Sequence, residues 1–302
     1  MYFFVVFLYV FLAGIQSSQG RTFPASLPAS HTSKVVMFSG WRDGNECTKT
    51  EGNTLPIEPR IVGGTEAERH EFPWVVSLQA YNATKSKYHH ICGASIIDEW
   101  WIMTAAHCFK TGNLDVKIIA GDHKLSAVED EEQHRIVKDT VIHSGWDNDL
   151  NLNDIALLKL SEKLELNGKT VAPISLPTPL TKSTGECVVA GWGKTSHESR
   201  TPSDLLRKVR LPIVSDEECK GTYATFNEKV FDNNICAGYK EGGKSSCQGD
   251  SGGPLVCQGV NNKNYVAGVV SWGRGCGLKN IPIVYTEVSY FVDWINAVRN
   301  QV

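Results

Sequence analysis

The sequence predicts an all-β protein, a barrel or a sandwich, and three observations carry that expectation. Short runs rich in β-branched and apolar residues recur: WVVSLQ, VKIIAG, IALLKL, CVVAGWG and YVAGVVSWG. Gly, Asn, Asp and Pro turns separate them, which is the punctuation of antiparallel strands. Helical spacing is confined to the tail, YFVDWINAVRN, where Phe291, Trp294, Ile295 and Val298 share one face. A stripe packed on the body accounts for that helix, and no internal repeat is present.

The chain opens MYFFVVFLYVFLAGIQSSQG. Its apolar stretch, Tyr2 to Ile15, is shorter than the roughly 20 residues that span a bilayer, and the small residues Ser17, Ser18 and Gly20 follow. Residues 1–20 therefore read as a cleaved secretory signal, although they lack a basic n-region. Residues 21–60 are rich in Pro, Ser, Thr and Gly without periodicity, and read as a poorly structured pro-segment. The β texture starts at Ile61 and continues through residue 302.

Secretion is therefore expected. The nine cysteines agree with it, because none is arranged as C-x-x-C for a metal and an oxidising compartment pairs them as disulfides. An odd count leaves one thiol over. Asn82-Ala83-Thr84 is a glycosylation sequon. A net charge of −3 without long like-charged blocks gives nucleic acid or an anionic membrane no electrostatic hold. The acidic run from Glu129 to Glu132 reads as a solvated loop.

Gly249-Asp250-Ser251-Gly252-Gly253 matches G-x-S-x-G, the nucleophile elbow of α/β-hydrolases. That elbow needs its histidine after the serine, and the last histidine here is His197. The elbow reading fails on order. A serine hydroxyl still needs a base, and the base needs an acid to hold its tautomer. Upstream, Thr104-Ala105-Ala106-His107-Cys108 sets a histidine among small residues, and Asp154 heads the apolar run IALLKL. The other histidines (His31, His70, His89, His90, His123, His134, His143, His197) sit in polar or mixed settings that point to surface roles. Singly, a His beside a Cys or an Asp opening a strand is structural; together, in the order His, Asp, Ser, they describe base, orienting acid and nucleophile.

TAAHC, NDIALLKL, GDSGGPLVC, SWG and the junction Arg60-Ile61-Val62-Gly63-Gly64 together resemble the chymotrypsin-like, trypsin-fold serine endopeptidases, over Ile61 to Val302. The resemblance implies two antiparallel six-stranded β-barrels with the active site in the cleft between them and a C-terminal helix. It implies that Ser251 attacks the scissile carbonyl, that His107 takes and returns the proton, and that Asp154 orients the ring. The N–H groups of Gly249 and Ser251 would form the oxyanion hole, and Ser271-Trp272-Gly273 the strand that pairs with substrate. Cleavage after Arg60 would free an ammonium on Ile61 that pairs with Asp250; without that cation the buried carboxylate leaves the oxyanion hole poorly formed. The family pattern pairs Cys92 with Cys108, Cys187 with Cys257, Cys219 with Cys236 and Cys247 with Cys276. Cys47 is left over, because the position that holds its partner in chymotrypsin is Ser175 here.

The resemblance places Ser245 at the floor of the primary specificity pocket, Gly273 and Ile283 on its walls, and Gln248 in the substrate-binding set. Ser245 carries no charge, which disfavours Arg or Lys. Gly273 leaves the mouth open, while Ile283 stands where deep-pocket relatives have glycine. An elastase-like preference for small to medium apolar residues is therefore expected, with chymotrypsin-like cleavage after Phe, Tyr or Leu as the alternative. Arg274 reads as a solvated side chain. Asp122, Glu129 and Glu132 bracket a segment that binds calcium in some relatives, and its ligand pattern is only partly present; no other cofactor is expected. The partners implied are protein or peptide substrates, a trypsin-like activating protease and protein inhibitors, for a monomeric enzyme. A non-catalytic binding homologue usually lacks a triad member, and none is lacking here.

Overall fold

The computed structural model describes residues 61–112 and 114–300. The signal and the pro-segment, with Cys47 and Arg60, lie outside the described residues.

WVVSLQ does not alternate between buried and exposed, because both faces of its strand are covered. In β2 (Val75–Asn82), the stretch from Val75 through Ala80 is buried throughout. Val76, Leu78 and Ala80 join one core, while Ser77 and Gln79 on the other face bond each other at 3.3 Å. β3 (Lys87–Ile96), β4 (Trp101–Thr104), β5 (Val116–Ala120), β6 (Gln133–Ile142) and β7 (Ala156–Leu160) close with β2 into a barrel of order β2-β3-β4-β7-β6-β5. All its pairings are antiparallel. Ile96, Ile102, Met103, Ile118, Leu157 and Leu158 are each fully buried in one cluster; neighbours along β4 and β7 point to opposite faces, so both faces are covered.

The second barrel uses β8 (Glu186–Gly191), β9 (Arg207–Val214), β10 (Asn234–Ala237), β11 (Pro254–Gln258), β12 (Asn264–Trp272) and β13 (Ile283–Glu287). They run in the order β9-β10-β13-β12-β11-β8, and β8 pairs back with β9 to close the ring. The short β1 (Thr65–Glu66) adds to β9 outside it. Val189, Leu211, Leu255 and Tyr285 anchor its interior. Closure leaves neither barrel a free hydrogen-bonding edge.

The C-terminal helix forms as expected. It is α2 (Val292–Arg299), and it packs Ile295 and Val298 on the first barrel's core with Phe291 at its start; Val292 is buried as well. The helix α1 (Asp216–Ala224) was not expected from the sequence. Only Cys219 and Tyr223 are buried on it, too few for a legible stripe. Its start is nonetheless written: Ser215 accepts the N–H of Glu218 at 3.2 Å, the S-x-x-E pattern of a helix cap. Four disulfides join Cys92–Cys108, Cys187–Cys257, Cys219–Cys236 and Cys247–Cys276, the four pairs the resemblance implied. Among the described residues no helix is long and apolar enough to cross a membrane.

Candidate active site

β4 ends at Thr104, and the chain turns through Ala105 and a short 3-10 helix, Ala106–Phe109, that carries His107. Asp154, just before β7, comes up beside it because β4 and β7 are neighbours, with Thr104 opposite Ala156. His107 Nδ1 stands 2.6 Å from Asp154 Oδ2, and the His107 backbone N–H donates to Oδ1 at 2.8 Å. A carboxylate can only accept, so the ring proton sits on Nδ1 and the neutral imidazole keeps its lone pair on Nε2. Asp154 is fully buried. Burial by itself raises its pKa, but hydrogen bonds from His107 and from the Ser271 hydroxyl, at 2.5 Å, outweigh that and hold it below the ordinary value. Ser271 lies on β12, the strand expected to pair with substrate, and its hydroxyl also completes the carboxylate's shell. The main-chain carbonyl of Asp154 is pinned by Thr286 Oγ1 at 2.8 Å, from the second barrel.

Ser251 lies on the segment before β11 and is fastened to the first barrel. The N–H of Gly93 donates to its carbonyl at 2.8 Å, and Gly93's own carbonyl accepts from Thr104 Oγ1 at 2.9 Å. Gly93 follows Cys92, which is disulfide-bonded to Cys108 beside His107. Gly252 makes this approach feasible. Its φ is +78°, and a Cβ there would stand 2.1 Å from Thr104 Oγ1 and 2.6 Å from the carbonyl of Gly93. The nucleophile segment and the His107 segment are thus in contact. Among the described hydrogen bonds none joins Ser251 Oγ to His107, a contact that in enzymes without substrate is often long.

The peptide groups around Ser251 are arranged with alternating duties. The carbonyl of Gln248 accepts from the N–H of Lys194 at 2.8 Å, so the trans peptide turns the N–H of Gly249 the opposite way. Gly249 takes φ +101° to do this. Asp250 N–H donates to Cys247 at 2.9 Å, whereas the N–H groups of Gly249 and Ser251 have no acceptor among the described residues. Two free donors flanking an occupied one are what an oxyanion site requires.

His90 is a member of this region that sequence reasoning assigned to the surface. Its Nε2 is 2.9 Å from the carbonyl of Gly249 and its Nδ1 is 2.8 Å from Ser77 Oγ. A carbonyl accepts only, so Nε2 carries the proton and the hydroxyl donates to Nδ1. Burial lowers its pKa to about 4, which keeps the ring neutral. Its partners lie far away in the chain, so no local signal marks it.

Asp250 is the second fully buried carboxylate. Its Oδ1 accepts from Gly193 N–H at 2.7 Å and its Oδ2 from Cys247 N–H at 2.8 Å. Burial nevertheless pushes its pKa up to about 6, and among the described residues no cation faces it. The chain after Arg60 is already seated close by, with Ser245 N–H donating to Val62 O at 3.1 Å.

Below Ser251, Ser245 is buried and donates to the carbonyl of Ser246 at 2.6 Å, while Ser246 Oγ meets Tyr285 OH at 3.0 Å. Ile283 packs in the second barrel's cluster with Val270 and Tyr285. Its Cδ1 reaches Gly273, where a Cβ would stand 2.6 Å from it. Trp272 is wedged edge-on against Tyr223, with ring centroids 4.7 Å apart, and Gln248 is exposed. Arg274 is not freely solvated: it pairs with Glu228 at 3.1 Å and lies 4.5 Å over the ring of Phe226.

Two expectations fall elsewhere. Asn82 ends β2, with its Oδ1 accepting from Lys85 N–H at 3.0 Å. Asp122, Glu129 and Glu132 converge, offering oxygen atoms within 4.8 Å of one another. Oδ1 of Asp122 is buried without a partner, and burial, then Glu132 and Glu129, push this carboxyl up to about 7. Three converging carboxylates, one unsatisfied, fit a hard cation with oxygen ligands.

A sequence model of the trypsin family matches residues 61–295. Trypsin-1 of Astacus astacus is 47% identical over 241 residues, 78% of this chain and 99% of the relative. The trypsin of Squalus acanthias is 40% identical over 242 residues, 79% of this chain and 96% of the relative. The trypsin of Sus scrofa is 38% identical over 238 residues, 79% of this chain and 95% of the relative. With two closed barrels, an imidazole held by a buried carboxylate at their junction and this match across the described residues, the chain belongs to the trypsin family of serine endopeptidases.

Proposed function

We propose that the chain is a secreted zymogen, cut between Arg60 and Ile61, whose His107, Asp154 and Ser251 hydrolyse peptide bonds through an acyl-enzyme. The observation that carries this is the 2.6 Å contact of His107 Nδ1 with Asp154, which leaves a basic Nε2 for the serine proton. Ser251 Oγ attacks the scissile carbonyl as its proton passes to Nε2, and the N–H groups of Gly249 and Ser251 meet the charge gathering on the carbonyl oxygen. The imidazolium gives its proton to the leaving amine; water repeats the sequence on the acyl-enzyme. Removing one oxyanion donor from a serine protease typically costs about 3–4 kcal/mol of transition-state stabilisation. After cleavage at Arg60, a fluorophosphonate probe should label Ser251. An unlabelled, folded, cleaved protein would leave only a binding role.

For the primary pocket the proposal is small to medium apolar residues. Ser245 gives a substrate cation no counter-ion, which costs several kcal/mol of lost hydration. The tip of Ile283 beside Gly273 takes space that a large ring needs. The chymotrypsin-like reading, cleavage after Phe, Tyr or Leu, draws on the uncharged floor and the open mouth at Gly273. A peptide library varied at the residue before the scissile bond separates them: strong cleavage after Phe or Tyr with none after Ala or Leu overturns the shallow pocket. The remaining proposals are calcium on Asp122, Glu129 and Glu132, a glycan on Asn82, a trypsin-like activator, protein inhibitors and a monomeric state.

A further inference from the structure

Away from the cleft, the residues before β4, the irregular part of β6, the end of β7 and the last turn of α2 surround a groove of about 640 Å³. Its innermost acid is spent. Asp98 Oδ1 accepts the N–H groups of Trp100 and Trp101, both at 2.8 Å, and its Oδ2 accepts from Arg299 Nε at 2.7 Å. The cations on the wall are not spent. Lys138 projects from the register shift between Val137 and Asp139, and Lys159 lies 5.8 Å from the centroid of the Trp101 ring. Neither lysine has a carboxylate within 4.0 Å among the described residues, although Asp139 is the register partner of Lys159. Trp100, 38% exposed, adds an indole to the lining, and Glu99 is the remaining acid in it.

We infer that this groove binds a sulfated polysaccharide. Two unpaired ammonium groups suit sulfates, the exposed indole offers a flat apolar surface to a sugar ring, and Ser161, Asn300 and Glu99 supply partners for hydroxyls. An acidic peptide fits less well. β4 and β7 are hydrogen-bonded on both sides within the closed barrel, so no strand edge is open for main-chain pairing. The attraction is local, because the chain as a whole carries −3. The groove lies at the end of β4 opposite Thr104, so an occupant leaves the cleft accessible and fixes the enzyme to a matrix while it works.

The test titrates fluorescein-labelled heparin octasaccharide into the full, Arg60-cleaved protein at about 0.15 M salt, with anisotropy as the readout. Saturable binding is expected, none to the desulfated octasaccharide, and weaker binding to polyglutamate. In the double variant Lys138→Gln/Lys159→Gln the Kd should rise about tenfold or more, with kcat/KM on a short peptide unchanged. Trp100→Ala should also weaken binding with both lysines intact. Unchanged affinity in the double variant, equal binding of the desulfated sugar or tighter binding of polyglutamate overturns the inference. Unchanged affinity in a Trp100→Ala protein that still turns over peptide overturns the part given to the indole.

Discussion

Asp154 and Asp250 are both fully buried, one beside His107 and one beside Ser251, yet their acidities move in opposite directions. Asp154 receives an imidazole, a hydroxyl and an N–H, and stays ionised below the ordinary carboxylate value. Asp250 receives two main-chain N–H groups and is still pushed up to about 6. Two main-chain donors do not offset its desolvation, whereas at Asp154 the charge that His107 can carry adds to three hydrogen bonds. The first carboxylate has its partners in place, whereas among the described residues the second faces no cation, and the ammonium freed at Ile61 is the proposed one.

The largest effect that can break this contrast is at Asp154. Asparagine there keeps the size but no longer fixes the Nδ1–H tautomer, and kcat/KM on a peptide substrate should fall about 10⁴-fold. A loss under tenfold would remove Asp154 from its orienting role. Next comes Asp250. An Arg60→Gln chain, left uncut, should turn over peptide at least about 10²-fold more slowly than the cleaved protein, the scale of one lost oxyanion donor. Turnover at the mature rate would show that Asp250 needs no ammonium.

Asp122 extends the comparison, since it too is raised, to about 7, but by neighbouring carboxylates as well as by burial. Calcium at a hundredfold excess over its Kd should raise Tm by roughly 5–10 °C, and Asp122→Asn should abolish the rise. No rise in the parent protein removes calcium from this site. The smallest effect is a pH slope in the uncut chain. A folded pKa raised from 3.8 to about 6 means that Asp250's contribution to stability is present below the lower value and lost as pH climbs through the higher one. Asp250→Asn, in an uncut Ser251→Ala background, should flatten the denaturation midpoint between those limits. An unchanged slope would mean that Asp250 titrates normally.

His107, Asp154 and Ser251 were legible because each sits in a distinctive local setting and their order excluded the rival fold. The all-β class, barrel or sandwich, was legible from short strands and turns, and the two barrels from the resemblance, although β2 hid its pattern by being covered on both faces. What escaped depends on distance along the chain. His90 looks like a surface residue beside His89 until Ser77 and Gly249 close on it from 13 and 159 residues away. Ser271 is the strand residue it was read as, but the acceptor of its hydroxyl, Asp154, lies 117 positions earlier and left no local sign. Arg274 is exposed, as read, but its partners Phe226 and Glu228 were hidden because they come from the loop after α1, a helix with no stripe to announce it.

The 2.8 Å rung from Gly93 to the carbonyl of Ser251 makes that serine part of the first barrel's hydrogen-bonded framework as well as the second's. Prying the halves apart would break that rung and displace the Ser251 hydroxyl, so opening the cleft around a bulky guest carries a cost. Accommodation falls to the target, which must fray or present a slack loop. Susceptibility to this protease should therefore track how readily a victim's own backbone comes loose, as much as which side chains it displays.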